Sequence, residues 1–305
     1  MTLLNSNQMA TFAARGFLRF DGVVPEEINQ QFLAELGDVP EGDVTSPEAH
    51  YGRVMQLGSV PVVPAGISLA NAYPAESAIS QLLAVPVVAG AVESLVGSKP
   101  VLDQHFLHIT FPLTYYDREA PVAQHTHQDS TIDPRRAFDI QLMYFPHEVT
   151  AEMGGARFIP GSHLRRVSEA SIGRYQNILG QQHVVCPAGT LLIMHMGIWH
   201  GGGANRSDKL RYMFKIRLCP TEKQVRLWDL SDLPDDHLQQ RPIFWVGNER
   251  TTDHIHSILT ESEPWFEFDT SRLEYINRIK FWRYLLDNES FDADYWLTRL
   301  ENDFE

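Results

Sequence analysis

The 305-residue chain reads as mainly β with flanking helices: an antiparallel sandwich or barrel set between a helical start and a helical end. Three observations predict this. Apolar residues near the N-terminus recur at helical spacing. Short apolar or alternating runs, punctuated by glycine and proline, fill the middle. After residue 220 the helical spacing returns.

Taken in order, residues 6–14 and 25–36 are expected to be helices. In the second, Pro25 stands at the start, Glu26 and Glu27 follow, and Ile28, Phe32, Leu33 and Leu36 fall on one face. Residues 79–96 predict a helix pair broken near Pro86 and closed by Gly97. Residues 1–100 thus support a β core at 101–220. Its expected strands are HFLHITF (105–111), DIQLMYF (139–145), ARFIP (156–160), HVVCPAGTLLIMH (183–195) and LRYMFKIRLC (210–219). Pro134, Gly154, Gly155, Gly161 and Gly189 supply the turns.

The remainder, 221–305, is expected to be a helical extension of the same single domain. Leu273, Ile276, Ile279, Phe281, Tyr284 and Leu285 mark a helix at 271–286, and another is expected at 292–300. Trp245, Trp265, Trp282 and Trp296 need burial, so the extension is expected to pack back on the barrel or its N-terminal helices, or against a second subunit in a homodimer. Part of it is expected to cap the substrate mouth.

The bulk properties exclude several function classes. With 25 basic and 39 acidic residues the net charge is −14, which repels nucleic acid. Cys186 and Cys219 are the only cysteines, too few for a disulfide framework or a thiolate zinc site. No apolar run is long enough to span a membrane, and residues 1–17 lack the pattern of a secretion signal. A cytoplasmic protein acting on a small molecule is expected.

The chemistry gathers at HTHQDS (125–130) and GIWHGGGANRSDKLR (197–211). His127, Asp129 and His200 together offer two imidazoles and one carboxylate. That donor set binds one face of an octahedral metal and leaves three positions open, as in non-haem iron oxygenases. On an extended strand residues i and i+2 share a face, so His127 and Asp129 can reach one ion. His125 shares that face too, but only His127 has a carboxylate two residues later.

With these motifs on the page, the chain resembles the phytanoyl-CoA dioxygenase family of iron(II)- and 2-oxoglutarate-dependent oxygenases. The resemblance runs through FAARGFLRFDGVVPEE (12–27), HQD (127–129), EMGGARFIPGSH (152–163) and PAGTLLIMHMGIWHGGGANRSDKLR (187–211). It implies a double-stranded β-helix core of jelly-roll or cupin-like form. It also implies that Fe(II) is held by His127, Asp129 and His200, the catalytic centre, with O2 as co-substrate. Arg211 would grip the distal carboxylate of 2-oxoglutarate through its planar fork. The implied reaction hydroxylates or otherwise oxidises a small organic metabolite while 2-oxoglutarate loses CO2 to become succinate. An aspartate at 129, rather than the small residue of related halogenases, points away from halide chemistry.

Two positions depart from the family pattern. Gly202 stands where serine or threonine is common, and Met153–Gly154 where Asn–Gly is common. Tyr115, Gln141, Arg157, Trp199 and Arg217 lie near the motifs and are the candidates for substrate contact. Strict alternation puts Arg211, Met213, Lys215 and Arg217 on one face of their strand. His163 and His195 are expected to be structural, and at most one of His105 and His108 faces the cavity, because their parity differs. Two rival readings are a silent metal- or ligand-binding β-helix protein and a cupin-like enzyme using another divalent metal. Arg211 discriminates, since only a 2-oxo acid mechanism requires it.

Overall fold

The structure is a computed structural model that describes residues 2–37, 46–116, 123–129, 139–164, 172, 178–221, 228–234 and 287–288. The chain opens with α1 (Ser6–Arg15). Asn5 caps it by accepting from the Gln8 amide at 2.8 Å, and the Gln8 side chain accepts from the Asn5 amide at 3.0 Å. Gly16 ends α1 at φ 76°, and a Cβ there would lie 2.5 Å from His163 Nδ1, so only glycine serves. A short strand, β1 (Phe17–Phe20), follows.

Among the described residues four more α-helices precede the main strands: α2 (Glu26–Glu35), α3 (Pro47–Leu57), α4 (Ala78–Ala84) and α5 (Pro86–Val96). The break expected at Pro86 is present, with α4 and α5 bent by 72°. Both β1 and α3 went unpredicted. β1 is four residues long, and α3 buries only His50 and Val54 while Tyr51, Met55 and Leu57 stay exposed. Neither length nor burial leaves a readable period.

The remaining strands are β2 (Val101–Thr110), β3 (Ile140–Phe145), β4 (Ala156–Phe158), β5 (Gln182–His183), β6 (Thr190–His195), β7 (His200–Gly202) and β8 (Arg211–Cys219). They form two antiparallel sheets: a five-stranded one ordered β1-β6-β3-β8-β2 and a three-stranded one ordered β5-β4-β7.

Alternation splits the large sheet into two faces. Leu142, Tyr144, Leu191, Ile193, Phe214, Ile216 and Leu218 face outward and pack with Phe12, Phe32, Ile79, Leu82 and Leu95 of the helices. Met143, Phe145, Leu192, Met194 and Met213 face inward and meet Ala156, Phe158, Val184 and Ile198 of the small-sheet side. The inward positions of β8 are Arg211, Met213, Lys215 and Arg217, as alternation predicts.

The helices expected at 271–286 and 292–300 lie outside the described residues. Residues 228–234 contact α1. Asp232 accepts from the Ser6 and Asn7 amides at 3.1 and 3.0 Å, and Trp228 Nε1 donates to Ser6 Oγ at 3.2 Å. Among the described residues no single helix is long and apolar enough to cross a membrane.

Candidate metal centre

His127 and His200 are brought together by backbone pairing. Each donates its amide to the other's carbonyl, at 2.9 and 2.8 Å, and the rings stand 4.4 Å apart by centroid. Glycine permits this approach: a Cβ on Gly201 would lie 2.9 Å from the Gln124 carbonyl oxygen and 3.0 Å from that of His125. Asp129, two residues beyond His127, is 2% exposed and turns its carboxylate between the rings. Its Oδ1 lies 3.7 Å from His127 Nε2 and its Oδ2 lies 3.7 Å from His200 Nε2. One donor atom from each of the three residues falls within 4.8 Å of the others.

The tautomers suit a metal. His127 Nδ1 lies 2.9 Å from the His125 carbonyl and His200 Nδ1 lies 3.0 Å from that of Ile198. A carbonyl only accepts, so Nδ1 carries the proton and Nε2 presents its lone pair inward. Burial, reinforced by His127, holds His200 down to about 3, so it is neutral. Burial alone would raise the Asp129 carboxyl. The Lys215 ammonium outweighs it and holds Asp129 well below the usual carboxylate range. The centre thus sets the Asp129 carboxylate beside a neutral His200 imidazole, with His127 Nε2 facing both.

Arg211 is on the same inward face, 5% exposed. Its Nη2 donates to Thr110 Oγ1 at 2.7 Å, and its Nη1 donates to the Met153 carbonyl at 3.2 Å and to that of Gly154. Burial lowers it only to about 10, so it keeps its charge at neutral pH. Its Nε is buried without a partner, which leaves an edge of the fork open to a carboxylate. The backbone carbonyls of Met153 and Gly154 therefore orient this guanidinium, as those of the usual Asn–Gly pair would. The Gly202 departure sits beside it: a Cβ there would lie 3.5 Å from Gln124 Oε1 and 4.0 Å from Arg211 Nη2. Gln124 Oε1 instead accepts from the Gly202 amide at 3.0 Å.

The substrate candidates separate. Gln141 faces inward, fully buried, and neither of its amide atoms has a partner. Arg217 also faces inward but is held by Asp139, and by Asp103 at 3.1 Å. Arg157 donates to the Gln124 carbonyl and sits on the face of β4 opposite Phe158. Trp199 packs with Ile159 and Ile172 in a separate cluster. Tyr115 packs on Phe111, ring centroids 5.7 Å apart, against the outward core.

Three residues of the site received no role from the sequence, although two of them, Lys215 and His108, were placed by strand parity. Lys215 Nζ donates to Asp129 Oδ2 at 3.0 Å. His108 is the inward member of the His105–His108 pair, and its buried Nε2 has no partner. Burial, with Lys215 and Arg211 close by, holds it down to about 3. Gln124 is the third. Strand parity carried a signal for Lys215 and His108, but nothing in the sequence said which charges meet. His105 faces outward, 2.7 Å from the Tyr73 hydroxyl. His163 Nε2 meets the Ala13 carbonyl at 2.9 Å, and His195 Nδ1 accepts from the Gly197 amide at 3.0 Å.

Two imidazoles and a carboxylate converging between antiparallel sheets are the donor set of a mononuclear metal enzyme. The sequence matches the family model for phytanoyl-CoA dioxygenase (PhyH) over residues 12–213, and the chain belongs to that family. The protein is accordingly an oxidoreductase. No curated protein sequence matches it. Among solved structures it is similar to the epimerase SnoN in complex with Fe3+, alpha ketoglutarate and nogalamycin RO. The identity is 17% and the TM-score 0.50, covering 86% of this chain and 96% of that one. It is also similar to HygX from Streptomyces hygroscopicus with nickel and 2-oxoglutarate bound, at 15% identity and TM-score 0.50, covering 72% of this chain and 88% of that one. At such identities the likeness is one of fold.

Proposed function

We propose that the protein is an Fe(II)- and 2-oxoglutarate-dependent dioxygenase. It acts as a single domain on a double-stranded β-helix core, in the cytoplasm. It hydroxylates or otherwise oxidises a small organic metabolite while 2-oxoglutarate is decarboxylated to succinate. The observation that carries this reading is the convergence of His127 Nε2, His200 Nε2 and the Asp129 carboxylate, with the open edge of Arg211 on the same inward face. The iron and 2-oxo acid held by SnoN, and the nickel and 2-oxoglutarate held by HygX, support it.

The residues fit both groups. His127, Asp129 and His200 would hold the iron, which supplies the O2 activation that amino-acid side chains lack. Arg211 binds the distal carboxylate of the co-substrate, and His108, near Lys215, Arg211 and Asp129 on the inward face, is a neutral hydrogen-bonding group. Met143, Met194 and Met213 make the floor apolar and exclude water. Gln104 Oε1 and both amide atoms of Gln141, all buried without partners, offer the substrate hydrogen bonds that fix its orientation. No protein base is needed. The epimerase name of one structural relative shows that this fold serves outcomes other than hydroxylation.

Protein reconstituted anaerobically with Fe(II) and 2-oxoglutarate should show a weak visible charge-transfer band and release succinate when supplied with metabolite pools. His200→Ala should lose both. A normal band in that variant removes His200 from the centre, and wild type with neither band nor succinate defeats the reading.

A further inference from the structure

Lys215 is a buried ammonium, 3% exposed, with Nζ 3.0 Å from Asp129 Oδ2 and 5.3 Å from the centroid of the Phe106 ring. It is nearer to that oxygen than His200 Nε2 is, at 3.7 Å. Phe106 on β2 and Met143 on β3 pair directly with it across the sheet. The charged head is therefore set between apolar neighbours and directed at a single oxygen. A charge in such a place is retained only with a close partner.

A carboxylate can give a metal one oxygen or both. The triad serves a 2-oxo acid only if three positions stay open, two for its chelate and one for O2. A second oxygen from Asp129 would close one of them. On the proposed reading of this site as an iron and 2-oxoglutarate centre, we infer that Lys215 is a positioning residue: it occupies Asp129 Oδ2, restricts the aspartate to one metal bond through Oδ1, and so keeps a position open for the co-substrate. The same ammonium repels a divalent cation a few ångströms away. Lys215 therefore weakens metal binding while it enables co-substrate binding. A residue that only supports the fold would move both in the same direction.

The test uses the full chain with nickel(II), which does not turn over, and titration calorimetry of nickel and then of 2-oxoglutarate. Lys215→Met keeps an apolar stem and removes the donor. It should bind nickel at least as tightly as wild type and then bind 2-oxoglutarate at least about tenfold more weakly. With iron(II), its visible band should be clearly weaker than that of wild type at a co-substrate concentration just sufficient to saturate wild type. Lys215→Arg restores a donor to Oδ2 and should restore co-substrate affinity. A folded Lys215→Met variant with wild-type affinity for 2-oxoglutarate overturns the inference, and so does joint loss of nickel and co-substrate. Should that variant not fold, a crystal structure of nickel-loaded wild type decides. Nickel on one Asp129 oxygen with Lys215 on the other supports the inference, and nickel on both overturns it. Wild type that binds no nickel defeats the functional reading instead.

Discussion

The two faces of the five-stranded sheet are made from alternate residues of the same strands, yet they differ in kind. The outward face of β8 carries Phe214, Ile216 and Leu218, each fully buried against the helices. The inward face carries Arg211, Lys215 and Arg217, equally buried but charged. Phe214 meets Phe32 edge-on with ring centroids 5.7 Å apart, and Tyr144 donates to Asn29 Oδ1 at 2.6 Å. Every contact there stabilises the fold. On the inward face, hydrogen-bonding atoms of His108, Gln104, Gln141 and Arg211 are left without partners. Such groups cost stability unless a ligand meets them. One face is built for folding and the other for binding, and a two-residue period separates them.

Substitutions can break that contrast or sharpen it. Phe214→Ala on the outward face should cost about 3–5 kcal/mol of unfolding free energy, read by denaturant titration, because a cavity replaces a ring in a closed core. The folded fraction should keep its metal. Loss of metal affinity without loss of stability would erase the distinction between the faces. Arg211→Ala on the inward face should raise the KM for 2-oxoglutarate more than about a hundredfold, near 3 kcal/mol, with a smaller loss of stability from the Thr110, Met153 and Gly154 acceptors it leaves unpaired, and Arg211→Lys should recover part. If both variants keep the wild-type KM, another residue grips the carboxylate, and Lys215 and Arg217 are next in line on that face.

Acid should strain both faces. His195 and His108 are each held at about 3 by burial, whereas a free imidazole titrates near 6.5. Between those values the unfolded chain takes up a proton that the folded chain refuses. The stabilisation is complete above about 6.5 and is lost as pH falls, at a cost by pH 5 of up to about 2 kcal/mol per histidine. Asp139 is pushed up to about 6 by burial, so its contribution runs the other way and offsets about 1 kcal/mol. Calorimetry should show Tm falling from pH 7.5 to pH 5, and a flat profile would mean that the imidazoles are hydrated in the folded protein. The smallest effect is expected from Gln141→Met. Removing two unpartnered atoms should leave stability unchanged or raise it by about 1 kcal/mol, while substrate-dependent succinate release falls. A clear loss of stability would mean that the amide is already satisfied.

Much of this was legible in the residues. The helix pair broken at Pro86, the strands at 139–145 and 210–219 and the helix expected at 6–14 follow from periods and breakers a few residues long. The spacing of His127 and Asp129, and the ten residues between His200 and Arg211, marked the centre through its chemistry. β1 and α3 were missed because one is short and the other buries too little to leave a pattern.

The sequence by itself determined the faces. Alternation along β8 assigned Arg211, Lys215 and Arg217 to one side and Phe214 to the other before any contact was known. Only the tertiary structure decided how those inward charges divide: Lys215 to Asp129, Arg217 to Asp103 and Asp139, and Arg211 to neutral carbonyls with an edge left open. It also packed Trp199 with Ile159 and Ile172, packed Tyr115 on Phe111, and put His108 on the inward face. The reason is physical. A strand's period is a property of its own backbone, whereas the partner of a buried charge is chosen by register and by loops distant in the chain, and the sequence writes neither of them locally.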